Sequence, residues 1–181
     1  MAQTSPASPR AMVKAAAASY LVTFAAGSYA LVYRGRAGAV AGLIAAASYV
    51  AVTLLFYGIF KPVSRNLSLL AAAVSFTGIA AGALRVSAVS PLVFFGFYCL
   101  LLGYLVLEST FLPKFIGVLL LVAALGWLTF LSPALRVSLY PYNLAPGIIG
   151  EGVLTLWLLL AGVDVPRWQE QARAGRASRT T

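Results

Sequence analysis

The chain has 181 residues, of which 61% are hydrophobic and 9% charged, and its mean hydropathy is +0.93. Soluble domains carry about 25% charged residues, and a core of this length could not bury so much apolar surface, so a water-soluble globule is excluded. Thirteen Lys and Arg against four Asp and Glu give a net charge of +9, but the basic residues lie in short loops and in the tail, which offers no basic face to track phosphates and argues against nucleic-acid binding.

Residues 15–33, 37–60, 66–84, 86–107 and 115–135 contain no Lys, Arg, Asp or Glu. Each run approaches or exceeds the roughly 20 apolar residues that cross a bilayer as a helix. Residues 1–12 are rich in Ser, Pro and Ala and are expected to be a disordered cytoplasmic segment. The first span covers about 13–33. It also reads as a signal peptide, with Arg10 and Lys14 as the charged region and Ser28-Tyr29-Ala30 as a loose cleavage site. Its full-span length and its two tyrosines, Tyr20 and Tyr29, favour a retained helix.

The second span, about 38–60, stops before Pro62, which makes KPVSRN a tight turn. A third span covers about 67–84 and is closed by Arg85; a fourth covers about 91–107 and opens on Pro91, where the missing N–H costs nothing. After ESTFLPK comes the fifth, about 115–131. The stretch SPALRVSLYPYNLAPG, with its prolines and with Tyr140 and Tyr142, reads as an interfacial loop containing a helical turn. A sixth span covers about 146–163 with Asn143 as candidate cap, Trp168 marks the interface, and residues 166–181 form a basic cytoplasmic tail. The expected fold is all-α: a bundle of six transmembrane helices with no domain outside the bilayer.

Six spans put Arg10, Lys14, Lys61, Arg65, Lys114, Arg167, Arg173, Arg176 and Arg179 on one side and Arg34, Arg36, Arg85 and Arg136 on the other. The positive-inside rule then predicts both termini in the cytoplasm, the orientation expected of a chain in a cytoplasmic membrane. No 20- to 50-residue repeat relates the halves. The chain has no histidine and one cysteine, Cys99, so His-based triads, haem and zinc sites are unsupported and no catalytic residue, metal or cofactor is expected. Gly38-x-x-x-Gly42 and Gly78-x-x-x-Gly82 permit close helix approach within the bundle or to another copy.

Glu151 is the one acid inside an expected span, and an intramembrane carboxyl is a functional hypothesis by default. Counted from Pro146 it lies in the outer half, where pairing with Arg85 or Arg136 is expected. Those residues and Tyr98 form the candidate intramembrane polar site. Glu108, within reach of Lys114, Lys61 and Arg65, reads as a cytoplasmic rim charge. The phenols Tyr20, Tyr29, Tyr49, Tyr57, Tyr98 and Tyr104 need partners in lipid, and Ser19, Ser48, Thr53, Ser75 and Thr77 are the expected ones.

The segments FYGIFKPVSRNLSLLAAA, PLVFFGFYCLLLGYLVLESTFLPKFIGVLL, LGWLTFLSP and APGIIGEGVLTLWLLLAGVDVPRWQEQ resemble integral membrane proteins of the bacterial family called domain of unknown function 4386. The resemblance covers about residues 12–171 and rests on the turn Lys61–Arg65, the segment Gly96–Tyr104, the Leu112–Lys114 step and Gly150-Glu151 before LTLWLLL. It implies a helical membrane protein of six or seven spans and no particular activity. The expected function is non-enzymatic, either holding a lipid or small apolar ligand between helices or serving as an accessory subunit to a membrane partner, with anionic headgroups on the basic tail. The alternative is a small transporter or proton-coupled permease using Glu151 with Arg85 or Arg136.

Overall fold

A computed structural model describes residues 8–33, 35–84 and 90–177. Helix α1 spans Pro9–Val32, α2 Arg36–Phe60, α3 Arg65–Ala83, α4 Pro91–Glu108, α5 Lys114–Leu128, α6 Pro133–Leu139, α7 Ala145–Leu160 and α8 Val165–Ala177. Six segments are long and apolar enough to cross a membrane: α1 to α4, α5 with the 3-10 turn that carries it to Leu131, and α7 with the 3-10 turn that starts it at Tyr142.

Local chemistry sets the helix starts. The first helix begins at Pro9, ahead of the expected residue 13, because the Ser8 hydroxyl accepts the Ala11 N–H and proline fits the first helical position. Ser64 and Ser90 cap α3 and α4 in the same way. Asn143 does not cap α7; its side-chain amide donates to the Thr129 hydroxyl at 2.9 Å and ties the start of α7 to the end of α5.

The spans pack in chain order, α1 on α2, α2 on α3, α3 on α4, α4 on α5 and α5 on α7, and α7 returns to α1 and closes a ring. Aromatic side chains fill its centre: Tyr49 stacks on Phe95 at 4.7 Å and on Tyr20 at 5.8 Å and meets Tyr98 edge-on at 6.1 Å. Leu43, Leu125 and Leu160 are among the large apolar side chains that face outward, as lipid contact requires. Between α4 and α5 the backbones nearly touch. A Cβ on Gly103 would stand 3.0 Å from the Gly117 carbonyl oxygen, and one on Gly117 would stand 2.8 Å from that of Gly103.

Beyond α7, Gly162 takes φ 71°, and Asp164 caps α8 by accepting the Arg167 N–H at 3.1 Å. The basic tail is therefore a docked helix through residue 177. Trp168 donates to the Ile59 carbonyl at 2.9 Å, while Gln171 accepts from the Thr110 N–H at 3.1 Å and donates to the Glu108 carbonyl at 3.2 Å. Trp168 and Gln171, three apart, share the face that covers the ends of α2 and α4.

Glu108, Lys61 and Arg65 are exposed at that same end. The Lys114 ammonium donates to the Leu107 and Ser109 carbonyls at the C-terminus of α4, where the helix dipole favours a cation, instead of pairing with Glu108. Among the described residues the one ion pair is Arg167–Asp164 at 3.4 Å. The close α4–α5 crossing predicts that Gly117→Ala lowers stability by about 1–3 kcal/mol through overpacking. Gly152→Ala, where the added carbon meets open space beyond its own helix backbone, should be neutral or mildly stabilising. Reversible unfolding in detergent micelles measures both.

Candidate functional site

Glu151 lies nine residues from each end of the span Tyr142–Leu160, at the middle of the helix, and is 4% exposed. Three donors from three other helices converge on its carboxyl group. The Tyr20 hydroxyl of α1 donates to Oε2 at 2.6 Å, and Trp127 Nε1 of α5 donates to Oε1 at 2.7 Å. The Cys99 thiol of α4 donates more weakly to Oε1 at 3.5 Å. Four of the six ring helices thus meet at one side chain.

Small residues on α7 make this convergence feasible. Gly147, one turn before Glu151, leaves the space that the Trp127 indole occupies. A Cβ on Gly150 would stand 2.8 Å from the Leu119 carbonyl oxygen and 2.9 Å from the Ala123 Cβ, so this glycine sets the close approach of α7 to α5. One turn further on, the Thr155 hydroxyl donates to the Glu151 carbonyl at 2.8 Å.

The expected pairing of Glu151 with Arg136 does not occur. Arg136 is exposed on α6 and makes no ion pair with the carboxyl, and Arg85 lies outside the described residues. The reason is depth: the turn Tyr142–Leu144 lengthens the span ahead of Pro146, so Glu151 sits further in than a helix starting at Pro146 places it. Tyr98, 2% exposed, does stand beside this cluster.

Trp127 and Cys99 are hydrogen-bond partners of the carboxyl that sequence reasoning misses, and Tyr20 has a partner other than the expected Ser or Thr. The available signal was position, since Tyr20, Cys99 and Glu151 each fall near the middle of a span. Thr53 and Ser75, expected to serve phenols, instead bond to each other at 2.6 Å and link α2 to α3. Thr77 turns back to the Ala73 carbonyl.

A groove of about 760 Å³ opens toward the end opposite the termini, between the α1–α2 pair and the α3–α4 pair. Gly27, Gly42, Gly78 and Gly82 hollow its walls, and Tyr49 and Phe95 stand at its deep end. Its size falls within the roughly 300–1,000 Å³ of ligand pockets, and its lining is mostly apolar. Tyr49 also stacks on Tyr20, so one side chain separates groove from carboxyl cage. Among the described residues no three of His, Cys, Asp and Glu gather as a metal site.

Fold and site define a multi-pass α-helical membrane protein with a neutral-donor cage around one central acid. The family pattern described as "Domain of unknown function (DUF4386)" matches residues 87–162, which include Tyr98, Cys99, Trp127 and Glu151. The chain is also 30% identical over 128 aligned positions to a protein of Archaeoglobus fulgidus described as uncharacterized, covering 62% of this chain and 76% of that one. The chain belongs to the DUF4386 family. No solved structure matches it.

The cage predicts that Tyr20→Phe and Trp127→Phe each lower stability by about 1–2 kcal/mol, since each removes a buried donor from the carboxyl. Arg136→Ala should change it by less than about 0.5 kcal/mol, as for a surface side chain. Unfolding equilibria of the three variants in micelles read this directly, and the opposite ranking would restore the ion-pair reading.

Proposed function

We propose that this protein is a non-enzymatic membrane protein that holds the apolar chain of a lipid, or a small hydrophobe of similar shape, in the groove between α1–α2 and α3–α4. The carrying observation is the groove itself: about 760 Å³, hollowed by glycines on facing helices and ending on the aromatic pair Tyr49 and Phe95. Nothing in its wall asks for a charged ligand. The ring and the Glu151 cage support the walls, which suits holding a ligand or presenting it to a partner subunit.

In this reading both termini face the cytoplasm, and α8 lies along the inner membrane surface. Exposed Arg167 and Arg173 there meet anionic headgroups, at about 1 kcal/mol per basic side chain. Proton-coupled transport through Glu151 is the second reading, and the mid-span position of the carboxyl favours it. Against it, Glu151 does not line the groove, and neither Arg136 nor any other described cation pairs with it.

Filling the groove tests the proposal. Gly27 and Gly42 line the groove, and a Cβ added at either meets only an alanine Cβ, at 4.0 and 3.9 Å, with no backbone atom in its way. Native mass spectrometry of protein released from nanodiscs should show bound lipid on the wild type and about tenfold lower occupancy on Gly27→Leu/Gly42→Leu. Equal lipid retention by the two would overturn the binding role.

A further inference from the structure

Beyond the deep end of the groove, toward the docked α8, the cleft between α2, α3 and α4 holds a second and much smaller cavity. Its free volume for the centre of a water-sized sphere is about 10 Å³, and holding one water takes about 10–15 Å³. The chamber therefore has room for one water and nothing larger. Its wall includes Phe56, Ala71 and Leu102, but Thr53 of α2, Ser68 of α3 and Tyr98 of α4 line it as well.

Two of those three hydroxyls are unmet. Ser68 and Tyr98 are each 2% exposed, and neither side-chain oxygen has a hydrogen-bond partner. Helical Ser and Thr often turn back to the carbonyl four residues earlier, as Thr53 does to Tyr49 and Thr77 to Ala73. Ser68 instead leaves the Ser64 carbonyl to its own backbone N–H. Thr53 gives its single hydrogen to the Tyr49 carbonyl at 2.9 Å, so it is the acceptor in its 2.6 Å contact with Ser75 and keeps one lone pair. One chamber is thus bordered by two free hydroxyls and a free acceptor, one from each of three helices.

Cavities that stay dry are apolar ones, and this one is not. We propose that the chamber is a binding site for a single structural water, which accepts from the Tyr98 hydroxyl and bonds the Ser68 and Thr53 hydroxyls. Buried waters typically make about three hydrogen bonds to groups left unsatisfied by the protein, and this site supplies three. Together with the Thr53–Ser75 bond, the water forms a polar layer that ties α2, α3 and α4 beyond the groove's deep end, where the α1–α2 pair meets the α3–α4 pair. This link is independent of what occupies the groove.

A double-substitution cycle tests the site, using the full chain in micelles and the reversible unfolding equilibrium as readout. If one water serves both hydroxyls, Ser68→Ala and Tyr98→Phe each raise the unfolding constant roughly three- to tenfold, and the double variant loses little more than either alone. Unchanged or improved stability would mean hydroxyls that bond to nothing and would overturn the proposal. Losses that simply add overturn it too, since they would mean separate partners, such as Ser68 turning back to the Ser64 carbonyl. A crystal structure from lipidic cubic phase that resolves ordered water should show one density between Ser68 and Tyr98; a chamber that is empty, or closed by side-chain packing, contradicts the site.

Discussion

A carboxyl group halfway along a membrane helix must be given hydrogen-bond partners by its own protein, because the surrounding hydrocarbon offers none. In this chain Glu151 receives them from Tyr20, Trp127 and Cys99, side chains separated from it by 131, 24 and 52 residues of sequence. Each bond reaches across to a different helix, and the bond to Tyr20 lies on the seam where α7 closes on α1. The ring depends on that seam, since every other neighbouring pair of spans is also consecutive along the chain and α1 and α7 are not.

The cage in turn depends on missing side chains. Gly147 yields its volume to the Trp127 indole, and Gly150 lets α7 rest against the backbone of α5. Helices in lipid gain little from apolar contact alone, so close approach and interhelical hydrogen bonds carry the specificity. At the other end of the ring Gly27 and Gly42 bring α1 and α2 together and Gly78 lets α3 rest against Phe94 of α4, and the same glycines, with Gly82, line the groove left between the two pairs.

The spans were legible because charge and hydropathy are local: a run without Lys, Arg, Asp or Glu announces itself. Glu151 was legible for the same reason, as an acid inside such a run. Its partners were not, because membrane insertion constrains each helix separately while the rotation of one helix against another depends on packing that no single segment encodes. Counting depth from Pro146 compounded this, since the turn at Tyr142–Leu144 moves the carboxyl toward the centre and away from Arg136. The tail shows the same division. Its basic composition was readable, but its docking relies on Trp168 and Gln171 finding the ends of α2 and α4, which chain topology brings to them.

The central claim is that the Glu151 cage holds the ring closed. Val22 on α1 and Ile149 on α7 are exposed, so nitroxides attached through Val22→Cys and Ile149→Cys report the seam without entering the core. Pulsed electron–electron resonance in nanodiscs should give one narrow distance in the otherwise native protein. With Glu151→Leu, which removes the acceptor of all three donors, the distribution should broaden and shift to longer distances. A distribution that stays narrow and unmoved would contradict the account and show that packing alone closes α7 on α1.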